Sequence, residues 1–198
     1  MQSAAATSLK DVSQPRLAPV RRSFNPLVWL VLAVYRSIAA PLPAQVIFAR
    51  APRLIIAHLL LVITSEYALS LDRRTRSLAR VFGSRVNGCM FCDDLETRLA
   101  LDHGSITRED ADALPQFRTS PRFSDRERAA LAWVEEINAS RRASDETFAA
   151  LGRHFSEREI VELTWLNAVG NYLNVQAIPL RLAGDESCRI APRVAQPA

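Results

Sequence analysis

Two cysteines stand three residues apart in NGCMFCDDLE, Asn87 to Glu96, in a chain of 198 residues with only one other cysteine, Cys188. A C-x-x-C pair supports three chemistries: a dithiol/disulfide cycle, half of a metal site, or none, as two small buried side chains. A closed zinc site needs four ligands. The remaining donors, Cys188, His58, His103 and His154, show no metal-like spacing. The residues therefore favour a redox-active dithiol and call for neither a metal nor an organic cofactor, with two inert structural cysteines as the alternative.

The pair needs an element to hold it. Asn87-Gly88 breaks one helical stretch, and a second is predicted from about Cys89 to Asp102, stopped near His103 and Gly104. Both cysteines then fall in a first turn, where unpaired N–H groups and the helix dipole favour a thiolate. Thiol pKa values there drop from about 8.5 to as low as roughly 3.5–7.5. Asp93 and Asp94 oppose the thiolate and Arg85 supports it. Glu96 lies one turn beyond Cys92 on the same face and is the candidate proton partner. The alternative for Glu96 is an exposed carboxylate, unpaired or paired with Arg85 or Arg98. His103 shares the face but lies about 16 Å from Cys92 along the axis, too far to act.

The rest of the chain also reads as helix. Thr107 with Asp110, Ser124 with Glu127, and Ser156 with Glu159 each form an S/T-x-x-[DE] capping box ahead of apolar residues at helical period. Ser144 or Asp145 caps a shorter helix, and Asp72 caps RRTRSLARVFGSRV. No six-residue window alternates in the manner of a strand. An all-α fold of about seven or eight helices follows. Its expected organisation is a flexible basic N-terminal tail over 1–25, a single helical domain over 26–188, and a flexible C-terminal tail over 189–198.

Composition narrows the partners. The chain is 48% hydrophobic and 23% charged, as expected of a globular protein, with a net charge of +4. Seven basic residues face only Asp11 before position 54, so the positive charge is concentrated in the first quarter. No basic patch is interleaved with aromatics, which argues against nucleic-acid binding. NPLVWLVLAVY is too short for a bilayer, and LIIAHLLLVITSEYALSL is interrupted by His58 and Glu66, so no integral membrane segment is expected. The N-terminus does not read as a signal peptide, and the expected compartment is cytoplasmic and reducing.

The run LDRRTRSLARVFGSRVNGCMFCDDLETRLALDHG resembles the core of the AhpD-like, or carboxymuconolactone decarboxylase, superfamily. FSDRERAALAWVEEI, SDETFAALGRHFSEREIVELTWLNAVGNYLNVQAIPL and GDESC are similar to later segments of its cysteine-bearing branch. The resemblance spans about residues 27–188. It implies a helical domain assembled as a homo-oligomer, a trimer or hexamer, whose Cys89 and Cys92 reduce a small-molecule hydroperoxide and are re-reduced by a thiol partner. The family's proton relay is a Glu about three turns before the first Cys and a His four residues after the second. The matching positions here are Ser77 and Glu96, so both relay residues are replaced. The resemblance thus implies a peroxidase whose redox pair is Cys89 and Cys92; Glu96, from its place on the helix, is the third candidate catalytic residue, able to serve as proton donor if burial raises its pKa towards the working pH. A redox sensor or disulfide exchanger, and a non-catalytic helical assembly, are the alternatives that this replacement leaves open.

Asn167, Asn171 and Asn174 form a polar stripe on the last long helix, expected to bond to neighbouring groups or to line a substrate pocket. Gly170 in that helix implies a close approach by another helix, as at a subunit interface. Cys188 reads as a free surface cysteine or a third, shuttling thiol. His58 and His154 read as structural, and Phe91 as a core contact at the helix start.

Overall fold

The computed structural model of the chain describes residues 15–37 and 43–182. Cys188, the expected C-terminal tail and the first part of the expected N-terminal tail lie outside the described residues. Those described contain eight α-helices and no strand: α1 (Pro26–Ser37), α2 (Leu54–Tyr67), α3 (Arg73–Val86), α4 (Met90–Asp102), α5 (Arg108–Ala113), α6 (Asp125–Ser140), α7 (Asp145–Gly152) and α8 (Glu157–Ala177). A π-helical turn, Ala44–Phe48, follows α1, and a 3-10 turn, Leu114–Gln116, extends α5.

Local chemistry starts these helices where the sequence places the caps. Thr107, Ser124 and Ser156 each close a complete capping box with Asp110, Glu127 and Glu159. Asp72 accepts from the Thr75 N–H at 2.8 Å to start α3, and Ser144 rather than Asp145 caps α7. Each such cap contributes about 1 kcal/mol.

Helix α3 is the hub, packed against α4, α6 and α8. Leu78, Val81 and Phe82 on α3 meet Leu131 and Val134 on α6 and Leu163 and Leu166 on α8, all buried. Each such side chain contributes about 1.5–3 kcal/mol by leaving water. A buried carboxylate fixes the turn into α3: Glu162 accepts from the Ser70 N–H (2.7 Å), the Ser70 hydroxyl (2.9 Å) and the Leu71 N–H (3.1 Å). Arg74 donates to both Asp110 and Glu127 at 2.6 Å, joining α3 to α5 and α6.

Residues 15–25 lie against the body without forming a helix. Arg16 N–H donates to Leu180 C=O, and Val20 N–H to Gln45 C=O, both at 3.0 Å. Arg50 gathers the Ala18 and Val46 carbonyls at 2.7 and 2.9 Å. This strap, the π-helical turn and the residues after α8 come together over the start of α4.

Candidate active site

The two cysteines are positioned by the reversal between α3 and α4. Gly88 adopts φ 69°, a conformation that glycine reaches without strain, and the turn lets the Cys89 N–H donate to Ser84 C=O at 2.9 Å. Cys89 is the N-cap of α4. Its Sγ accepts the Cys92 N–H at 3.4 Å, so the first sulfur already receives one of the donors that a helix start leaves open. The two sulfurs are paired, with Cα atoms 5.3 Å apart, inside the usual disulfide range. Both are buried, 2% and 6% exposed, among Val46, Phe91, Ala177 and Leu182.

The charges around the pair depart in part from the sequence expectation. Arg85 does not act on a sulfur directly: its Nε donates to Asp93 Oδ1 at 2.9 Å, and its Nη1 donates to Ala111 C=O. It therefore neutralises one of the two carboxylates that oppose a thiolate. Asp93 also accepts from the Thr97 hydroxyl at 3.0 Å.

Glu96 is neither fully exposed nor paired with Arg85. It is half-buried, and burial pushes its pKa up from the ordinary carboxylate value; the Arg80 charge opposes this shift and the Glu66 charge adds to it. Glu66, from α2, is bound to Arg80 at 2.6 Å. Burial pushes the Glu66 pKa up, but the Arg80 hydrogen bond and the charges of Arg80, Arg76 and His103 outweigh it and hold the group below its ordinary value. Burial thus disfavours the charged form of Glu96 while Arg80 favours that of Glu66, an opposition of environments of the kind that proton transfer uses. Ser77 takes no part in this cluster; its hydroxyl shares a 2.7 Å bond with that of Ser105.

Glu66 and Arg80 are the site residues that sequence reasoning missed. Each carried a signal: Glu66 breaks an apolar run, and Arg80 lies one helical turn after Ser77. His58 is buried between the rings of Phe48 and Tyr172, at 4.7 and 6.1 Å, and burial lowers its pKa to about 4. It is therefore a neutral imidazole at neutral pH. His154 is exposed.

The asparagine stripe is a network. Asn167 and Asn171 donate to Asn138 Oδ1 at 2.8 and 2.7 Å, and Asn87 donates to Asn174 Oδ1 at 2.6 Å. The last of these ties the residue two before Cys89 to α8. Gly170 does not mark a close helix contact within this chain, because a Cβ there would meet no atom within 4 Å. It lines a small cavity between α3 and α8.

The carboxymuconolactone decarboxylase family pattern matches residues 56–136, which run from within α2 through most of α6 and contain both cysteines. Over 96 residues the chain is 33% identical to the uncharacterized protein YdfG of Bacillus subtilis, covering 48% of this chain and 65% of that protein's length. A crystal structure from Agrobacterium tumefaciens, of a protein of unknown function provisionally called the antioxidant defence protein AhpD, is 29% identical. It covers 71% of this chain and 97% of its own with a TM-score of 0.65. The debrominase Bmp8, solved as a cysteine-to-alanine variant in complex with 2,3,4-tribromopyrrole, has the same fold: TM-score 0.76 at 21% identity, over 89% of this chain and 95% of that one. The AhpD-like helical fold expected from the sequence is thus present. The functions named among these relatives differ.

Proposed function

We propose that the chain is a C-x-x-C-dependent peroxidase that reduces hydroperoxides through a Cys89–Cys92 dithiol/disulfide cycle. The observation that carries this reading is the placement of Cys89 as the N-cap of α4, with its sulfur receiving the Cys92 N–H and lying within bonding reach of Cys92. That position favours a standing thiolate on Cys89. Glu96, one turn past Cys92 with its pKa raised by burial, is suited to hold a proton at the working pH.

The cycle follows from these assignments. The Cys89 thiolate attacks the distal peroxide oxygen, the O–O bond breaks, and Cys89 becomes a sulfenic acid while the alkoxide takes a proton from Glu96. Cys92 then gives its proton to Glu96 and attacks the sulfenic sulfur. The S–S bond forms, the S–O bond breaks, and the departing hydroxide takes the Glu96 proton to leave as water. A dithiol reductant returns two electrons and two protons, restoring the Cys92 thiol and neutral Glu96. Ser77 and Glu96 replace the relay of the resembled family, so Glu96 with Glu66 and Arg80 takes over its proton work in this reading. A homo-oligomer belongs to the same reading, supported by the apolar outer face of α2, where Leu54, Ile56, Leu60 and Ile63 are exposed.

The test is peroxide consumption in the presence of excess dithiol, with mass mapping of the product. Turnover lost in both Cys89→Ser and Cys92→Ser, with a mapped 89–92 disulfide in wild type, is the expected result. Turnover that survives both substitutions excludes the cycle.

A further inference from the structure

Between Asp11 and Glu66 the chain carries no carboxylate, while Arg16, Arg21, Arg22, Arg36, Arg50 and Arg53 all fall within that stretch. The segment is therefore positive throughout and attracts anions. It also holds most of the large apolar side chains that the described residues leave exposed, from Leu17 to Ile63.

Charge and apolar surface meet where the strap enters α1. Asn25 starts the helix: its Oδ1 accepts the Leu27 and Val28 N–H groups at 2.9 and 3.4 Å. One side of α1 packs inward, with Val28, Val31 and Leu32 against Phe48 and Ile55. The other side is apolar too. Leu27, Trp29 and Leu30 are exposed there, the last two at 64% and 53%, and Phe24, just ahead of the cap, is fully exposed. Arg16, Arg21 and Arg22 are exposed on the strap that leads to them. Single apolar side chains on a surface are ordinary, but four in close succession mark an interaction site.

Charge decides what covers this face. Helix α2 carries no charged residue from Leu54 to Ser65, His58 being neutral, which suits contact with a second copy because the cores of such interfaces are depleted of charge. The α1 face differs. Two copies meeting there face to face would set arginine against arginine. An anionic bilayer surface answers both halves: acyl chains take the apolar side chains, and lipid phosphates and carboxylates take the guanidinium groups. Tryptophan is favoured at that boundary. Helix α1 would lie on the surface rather than across it, since no helix among the described residues is long and apolar enough to cross a membrane.

We propose that the strap and α1 dock the protein on an anionic membrane surface, with Phe24, Leu27, Trp29 and Leu30 seated between headgroups and acyl chains and Arg16 and Arg22 on the headgroups. The assignment goes beyond the peroxidase reading and does not depend on it.

The test is co-sedimentation of the full chain with vesicles of phosphatidylcholine alone or with phosphatidylserine added. Binding is expected only with phosphatidylserine, and it should fall at high salt as the charges are screened. Arg16→Ser combined with Arg22→Ser should weaken it about twentyfold, or about fivefold per arginine. Phe24→Ser should weaken it about fivefold or more. That side chain is fully exposed, so the variant folds. Bromine-labelled acyl chains should quench tryptophan emission in wild type, and the quenching should be lost in Trp29→Phe. Failure to bind phosphatidylserine vesicles overturns the assignment. Salt-sensitive binding that Phe24→Ser leaves within about twofold also overturns it, because that is attraction to any polyanion, nucleic acid included. A lower mass by light scattering in Phe24→Ser with vesicle binding unchanged would make this face a contact between copies and overturn it equally.

Discussion

Helices α2 and α3 are both 14 residues long and follow one another in the chain, yet they are built on opposite plans. Helix α3 is amphipathic, is capped by Asp72, and buries Leu78, Ala79, Val81 and Phe82 against α6 and α8. Helix α2 is apolar nearly all round, has no side-chain cap, and turns His58 and Ser65 inward while Leu54, Ile56, Leu60, Ile63 and Tyr67 face out. A helix apolar on every side belongs where every side is covered. The difference shows what each contributes. Helix α3 is held by this chain's own core and delivers Cys89 at a fixed point, whereas α2 brings polar groups, including Glu66, to the site and leaves its apolar face for a neighbour. In the proposed reading that neighbour is a second copy of the chain.

The sharpest way to break the comparison is to truncate one residue on each helix. Leu78→Ala should cost about 2–5 kcal/mol in urea unfolding. Leu60→Ala should change the subunit's own stability by no more than about 0.5 kcal/mol, and Leu60→Glu should lower the mass seen by light scattering without loss of helical circular dichroism. Equal unfolding costs for the two alanine variants would mean that α2 is as embedded in its own chain as α3.

The joint between the helices comes next. Glu162→Gln removes the charge that gathers Ser70 and Leu71, and should cost about 1–3 kcal/mol at neutral pH. Burial pushes the Glu162 pKa up, but hydrogen bonds from Arg158, Ser70 and Leu71 outweigh it and hold the group below its ordinary value. Its contribution is therefore present above about 4.3 and is lost as pH falls through the lowered folded value, so wild type and variant should converge in acid. Unfolding followed from neutral pH into acid reads this directly. A smaller effect, about 1 kcal/mol, is expected for Asp72→Ala, which removes the α3 cap and has no counterpart on α2.

Glu96 gives the subtlest signature and has the opposite sign. Its folded pKa is raised, so its ionisation disfavours the folded state: the stability tied to its neutral form is full below about 4.3 and fades as pH rises through the folded value. Melting temperatures of Glu96→Gln and wild type should agree in acid and diverge towards neutral pH, with the Gln variant the more stable. Peroxide turnover should fall in the same variant, because the amide holds no transferable proton.

What the sequence made legible was local. The capping boxes at Thr107, Ser124 and Ser156 and the stop at Gly104 join groups no more than four residues apart, so pattern alone places them. The C-x-x-C at the start of a helix was visible for the same reason, as was Glu96 one turn further on. The bonds that decide the site's electrostatics were not. Glu66 meets Arg80 across 14 residues, and Asn87 meets Asn174 across 87, contacts that exist only once α2 and α8 have packed beside α3. Arg85 was visible as a charge near the sulfurs, but its commitment to Asp93 and to Ala111 on α5 depends on tertiary packing. Gly170 was visible as an anomaly in a helix, and only the placement of α3 turned that anomaly into a cavity.

The central claim is that the start of α4 holds a reactive thiolate. The measurement that tests it most directly is the pH dependence of alkylation of the reduced protein by iodoacetamide, read separately in Cys92→Ser and Cys89→Ser. The account predicts that Cys89 titrates below about 7.5, and that mild peroxide rapidly closes the 89–92 disulfide in wild type. Thiols that titrate at about 9 or above, with no disulfide formed, would contradict it and leave a helical scaffold whose cysteines are packing alone.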